Sequence, residues 1–153
     1  MMAASRWETM VVRMRIDWRL GMIALLALHG CDESGNQISG TVTMKPVLSL
    51  GVKESDTLFI TARQDGVTGG PPLAVVRIVG ATFPARFDIG QSDVVVAGQW
   101  FKGKVRLSAF LKRSGFIGID TPGDLAGVPS SNPVAVGTQG VTIELSPPKG
   151  ARI

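Results

Sequence analysis

The chain has 153 residues, enough for one domain of ordinary size, and its 44% hydrophobic content excludes a mainly disordered protein. A formal charge of +4 is too weak to support nucleic acid as a partner, because from Cys31 onward only 12 basic side chains face 10 acidic ones. One cysteine excludes an intramolecular disulfide, and 19 Gly with 9 Pro punctuate the chain as turns punctuate an all-β fold.

Residues 20–28 form a short apolar run behind Arg13, Arg15 and Arg19, with Met10 and Met14 as alternative starts to Met1. The run falls well short of the ~20 apolar residues that span a bilayer. A basic stretch, a short apolar stretch and a small residue before a cleavage point describe a signal peptide. Leu28, His29, Gly30 and Cys31 resemble the bacterial lipobox, with His29 at the variable position. The resemblance implies cleavage after Gly30 and a diacylglycerol on the Cys31 thiol. It also implies a further acyl chain such as palmitate on the new amino terminus. More than one acyl chain holds a protein durably on a membrane. Residues 1–30 are then the signal peptide and residues 31–37 a polar tether. Asp32 after the lipidated cysteine favours the inner membrane, facing the periplasm, over the outer membrane. Because His29 leaves and Cys31 is acylated, and the chain has no Tyr, the remaining domain has no His, Tyr or free thiol. That excludes a Ser-His-Asp or Cys-His centre, a His-containing zinc or haem site and a Cys-X-X-Cys redox pair. No metal ligand set, cofactor or small-molecule substrate is expected, and the protein is read as a non-enzyme.

From Ile38 onward the pattern is short strands between turns. Residues 38–44 alternate, with Ile38, Val42 and Met44 on one face and Gly40 leaving that face bare; Met44 is core. Residues 57–63 form a second strand, 65–72 a loop and 73–79 a third strand. Residues 81–89 form a fourth, with Pro84 near its start or at a sheet edge. Asp88 and Asp93 are close in sequence but do not make an acid/base pair. Trp100 and Phe101 pack in the core or at an edge, with an exposed anchor as the alternative reading. Residues 104–112 give the clearest alternation: Val105, Leu107, Ala109 and Leu111 face inward, while Lys104, Arg106, Ser108, Phe110 and Lys112 face outward. Asp124 accepts backbone hydrogen bonds in a turn. Residues 134–136 and 141–145 are two last strands joined by a hairpin turn at 137–140. Pro147 and Pro148 end the domain, and 148–153 is a short basic tail. About seven short strands suggest an antiparallel sandwich over residues 38–147.

Five stretches in order strengthen this reading: Ile38–Val42, Asp56–Arg63, Gly70–Arg77, Arg106–Gly115 and Pro122–Leu125. Together they resemble the C-terminal periplasmic domain of the TPR-containing cytochrome c-type biogenesis protein, component H, also called I. The resemblance implies an Ig-like β-sandwich and a part in assembling c-type cytochromes, with the assembly machinery or an apocytochrome as partner. It implies no catalytic residue. Larger members carry two membrane helices and a TPR domain ahead of this module. Here a lipid anchor is expected in place of the helices, so the apocytochrome binding of the TPR repeats does not carry over. The alternative is a structural or interaction lipoprotein of the envelope unrelated to haem. Candidate partner-binding residues are Arg63, Arg77, Lys104, Arg106, Phe110 and Lys112, each with the plainer reading of an outward strand residue over the sheet.

Overall fold

The computed structural model describes residues 33–148, so Leu28, His29, Gly30 and Cys31 lie outside the described residues. Eight strands follow one another: β1 (Gln37–Met44), β2 (Thr57–Gln64), β3 (Ala74–Val79), β4 (Ala85–Gly90), β5 (Lys104–Lys112), β6 (Leu125–Gly127), β7 (Val134–Ala135) and β8 (Val141–Leu145). A one-turn helix, α1 (Pro46–Ser49), and 3-10 turns at Glu33–Asn36 and Gln91–Asp93 complete the elements.

β1 is the middle strand of a three-stranded sheet, order β4-β1-β8. The second sheet runs β3-β2-β5-β6, and β7 pairs with the first residues of β5. Period-two alternation gives each sheet one apolar face, and the two faces bury each other. Ile38, Val42, Phe87, Ile89, Ile143 and Leu145 meet Leu58, Ile60, Leu107, Ala109 and Leu111 in one core, all buried. Met44 packs at its margin and Phe101 within it.

Gly40 shows why one face of β1 is bare. The Phe87 ring and the Val141 carbonyl occupy the space a Cβ would need. The missing side chain lets the neighbouring strands approach, which is a recurrent use of glycine inside a sheet. On the edge of β5 away from β2, Leu107 falls between the stretches paired with β6 and β7 and has no strand partner there. The Asn132 side chain takes that place. Its Oδ1 accepts from the Leu107 N–H at 3.0 Å and its Nδ2 donates to the Leu107 carbonyl at 2.9 Å.

Five expectations change. The sandwich is not purely antiparallel, because β8 runs parallel to β1. Residues 137–140 are not a hairpin turn but the passage from β7 in one sheet to β8 in the other. The crossing frees β8 from hairpin geometry, which would have forced an antiparallel partner. Along this passage the Val136 N–H donates to Gly103 and the Gly137 N–H to Gln37. β6 is also additional: with three residues it is too short to show an alternation. The fourth strand spans Ala85–Gly90 rather than 81–89, so Pro84 stands just before it, and it lies at a sheet edge. Gln37, assigned to the tether from the sequence, is the first residue of β1.

Candidate partner-binding face

The outward row of β5 lies on the side of the larger sheet that faces away from the core. Its burial changes along the strand. Lys104 and Arg106 are exposed, Ser108 and Phe110 half-buried, and Lys112 buried. β2 beside it is buried on both faces as far as Ala62. The outer face of this sheet is therefore partly roofed, and the loops after β2 and β5 border it.

The loop after β5 is held by two aspartates on one lysine. Lys112 Nζ donates to Asp124 Oδ2 at 3.1 Å and to Asp120 Oδ1 at 2.7 Å. Asp124 is buried, while the Asp120 side chain is 97% exposed. Asp124 also receives the Arg113 N–H at 2.8 Å and the Thr121 N–H at 2.9 Å, so it closes the turn as expected and binds the lysine as well. Burial pulls the Lys112 ammonium toward a lower pKa. The hydrogen bonds and charges of Asp120 and Asp124 outweigh it and hold the group above the ordinary lysine value. Burial pushes the Asp124 carboxyl up, but the two backbone N–H donors and then Lys112 hold it below the usual carboxylate range. The next residue, Arg113, reaches the other way to the buried Asp56 and to the Gly51 carbonyl. Gly115 and Gly123, both at positive φ, let the chain reverse at the two ends of the loop. Between them Phe116, Ile117 and Ile119 stand exposed.

Three adjoining depressions of about 470, 340 and 440 Å³ open on this face, and Phe110 lines all three. The first is floored by Lys112, Asp124 and Leu125. The second is lined by Arg63, Thr61 and Ser108 together with Pro72 and Ile117. The third ends against Pro147 and Pro148. The half-buried Phe110 is thus common to all three parts of a trough that apolar side chains, hydroxyls and the Arg63 guanidinium line.

The six candidate residues separate within this frame. Arg63, Phe110 and Lys112 come together at the second depression. Arg63 is nevertheless committed to its own loop, donating through Nη1 to the carbonyls of Gly69, at 2.9 Å, and Gly70. Lys112 is buried between its aspartates and is not a free surface cation, because the loop after β5 folds over the end of the strand. Arg77 is exposed and in register with Phe59, itself in register with Phe110, so it lies in the same cross-strand row about 10 Å away. Arg106 is paired with Asp65 at 3.0 Å. Lys104 is at the far end of β5, about 20 Å from Phe110 along the strand, and belongs to a different part of the surface. Trp100 and Phe101 divide: Phe101 is buried and Trp100 exposed. Asp88 is exposed, and Asp93 accepts the Gly90 N–H at 2.9 Å. Among the described residues, no group of three or more His, Cys, Asp or Glu is placed to hold a metal ion. The pattern missed the apolar loop Phe116–Ile119 and the lysine–aspartate latch; closely spaced Gly115, Gly118 and Gly123 around Asp120 were the available signal.

Residues 38–146 match the family described as the Ig-like domain of cytochrome c-type biogenesis protein H. No curated protein matches the chain. Among solved structures, an alternative pilotin from the type II secretion system of Vibrio cholerae is similar at 12% identity and a TM-score of 0.45. That similarity covers 73% of this chain and 97% of the pilotin.

Proposed function

Because the chain belongs to the family of cytochrome c-type biogenesis protein H Ig-like domains, we propose that it is a non-enzymatic binding accessory in c-type cytochrome maturation. It acts at the periplasmic face of the membrane, held there by lipid on Cys31. The mechanism is capture. The trough around Phe110 receives a segment of a polypeptide of the assembly pathway, with an apolar side chain on the ring. Confinement to the membrane surface raises the local concentration of this trough near membrane-bound machinery. The observation that carries the reading is the family match over residues 38–146, to which the Phe110 trough adds a surface suited to binding. The test is deletion of the gene followed by haem staining of c-type cytochromes. Covalent haem is expected to fall and to return with the wild-type gene. Unchanged staining would overturn the maturation role and favour an envelope lipoprotein unrelated to haem.

A further inference from the structure

Trp100 is 67% exposed, yet the backbone around it is firmly held. Phe101, the next residue, is buried in the core. The Gln91 side chain grips both flanks of the tryptophan: its Oε1 accepts the Phe101 N–H at 2.7 Å and its Nε2 donates to the Gln99 carbonyl at 3.2 Å. A large indole is thus presented to the outside by an ordered loop. Lys102 and Lys104 follow directly, both exposed, and neither is in an ion pair among the described residues.

This loop lies at the end of the sandwich where β1 begins. Gln37 is in register with Gly90, the residue before Gln91. The Gln37 carbonyl accepts from Gly137, and the neighbouring Val136 N–H donates to Gly103, which sits between the two lysines. Six residue steps separate Cys31 from Gln37, a reach of at most about 20 Å. The exposed apolar loop Phe116–Ile119 follows the other end of β5 and folds back over the outer face, where Ile117 lines the second depression with Arg63 and Ser108, and it carries the exposed Asp120 carboxylate.

We infer that the end of the domain carrying Trp100, Lys102 and Lys104 docks on the membrane surface, with the indole at the headgroup level and the two ammonium groups on anionic phospholipids. Tryptophan's amphipathic ring is favoured at the membrane–water interface. Lysines near an anionic surface add attraction, and a basic patch is the kind of second signal that reinforces acyl anchoring. The docking fixes the orientation of the domain: the sandwich stands with its β1 start toward the bilayer, and the outer face around Phe110 remains open for a partner. It deepens the anchoring part of the function proposed above and rests on that reading for its choice of occupant.

The test uses the protein expressed from the full chain with Trp7→Phe and Trp18→Phe, so that Trp100 is the only indole whether or not residues 1–30 have been removed, reconstituted into vesicles whose phosphatidylglycerol is brominated near the headgroup end of its acyl chains. Trp100 emission is expected to shift to the blue and to be quenched. Quenching should weaken on phosphatidylcholine alone. It should also fall in Lys102→Gln/Lys104→Gln, where the ratio of docked to undocked domain drops about 30-fold. Both lysines are exposed, so an unchanged circular dichroism spectrum is expected of that variant. An unquenched Trp100 on protein that stays with the vesicles overturns docking and leaves the anchor standing. Quenching that ignores both the lysines and lipid charge overturns it too. Mass spectrometry of the Cys31 peptide reads the anchor separately: a peptide without acyl mass removes lipidation, and the quenching then decides docking alone.

Discussion

Replacing Asp124 by alanine tests whether the loop over the Phe110 trough is held by the buried member of the lysine–aspartate latch. Asp124 is buried and accepts three hydrogen bonds, from Arg113 N–H, Thr121 N–H and Lys112 Nζ. The two backbone donors are on half-buried residues, so water recovers part of each loss and each costs about 1 kcal/mol. The buried ammonium keeps Asp120 but loses its buried partner, which adds about 1–2 kcal/mol. The expected destabilisation is about 3 kcal/mol. At a urea m-value of about 1.5 kcal/mol/M, this lowers the unfolding midpoint by about 2 M. Asp120→Ala is the control, because it removes a carboxylate at 2.7 Å from the same ammonium but from a side chain that is 97% exposed. Solvent-exposed charges contribute about 0–1 kcal/mol, so its midpoint should fall by less than about 0.7 M. Urea unfolding of both variants followed by circular dichroism reads the difference. Equal shifts would refute the claim that burial, rather than the number of charges around Lys112, sets the strength of the latch.

Phe110→Ala is expected to cost only about 1–2 kcal/mol, since the ring is half-buried, while bringing covalent haem on c-type cytochromes near the level of the gene deletion; normal staining in a folded variant would exclude the trough. Gly40→Ala places a methyl against the Val141 carbonyl and the Phe87 ring and should destabilise by up to about 3 kcal/mol, whereas Gly35→Ala, with nothing within 4 Å, should change stability by less than about 0.5 kcal/mol in the same unfolding assay. The latch also has a pH signature. Asp124 titrates below the ordinary carboxylate value of 3.8, so the unfolded chain binds its proton first and the contribution of this group disappears as pH falls from there. Lys112 titrates above 10.5, so its contribution is complete below that value and disappears as pH rises through the folded pKa. Unfolding midpoints measured across pH should therefore be level for this pair between those limits, and Asp124→Ala should flatten the acid side.

Much of the fold was legible along the chain because period-two alternation is a local property. Residues 104–112 announced both faces of β5, and Ile38 with Val42 announced the buried face of β1. What alternation does not carry is the partner of each strand. The parallel pairing of β8 with β1 and the passage of 137–140 between sheets depend on which exposed edge is free after the other strands have paired. The three-residue β6 is defined by β5 beside it. The outer face of β5 illustrates the limit for function. Lys104, Arg106, Phe110 and Lys112 are equivalent in the pattern. The loop after β5 nevertheless buries Lys112 between two aspartates, Asp65 neutralises Arg106, and Lys104 is left at the end of the sandwich beside Trp100. Composition alone excluded a disulfide, and the lipobox-like stretch with the lone His29 and Cys31 led the reading away from catalysis toward binding at a membrane. Only the tertiary structure decided which outward side chains are free and which are spent on holding loops, because burial and charge pairing arise between residues far apart in sequence.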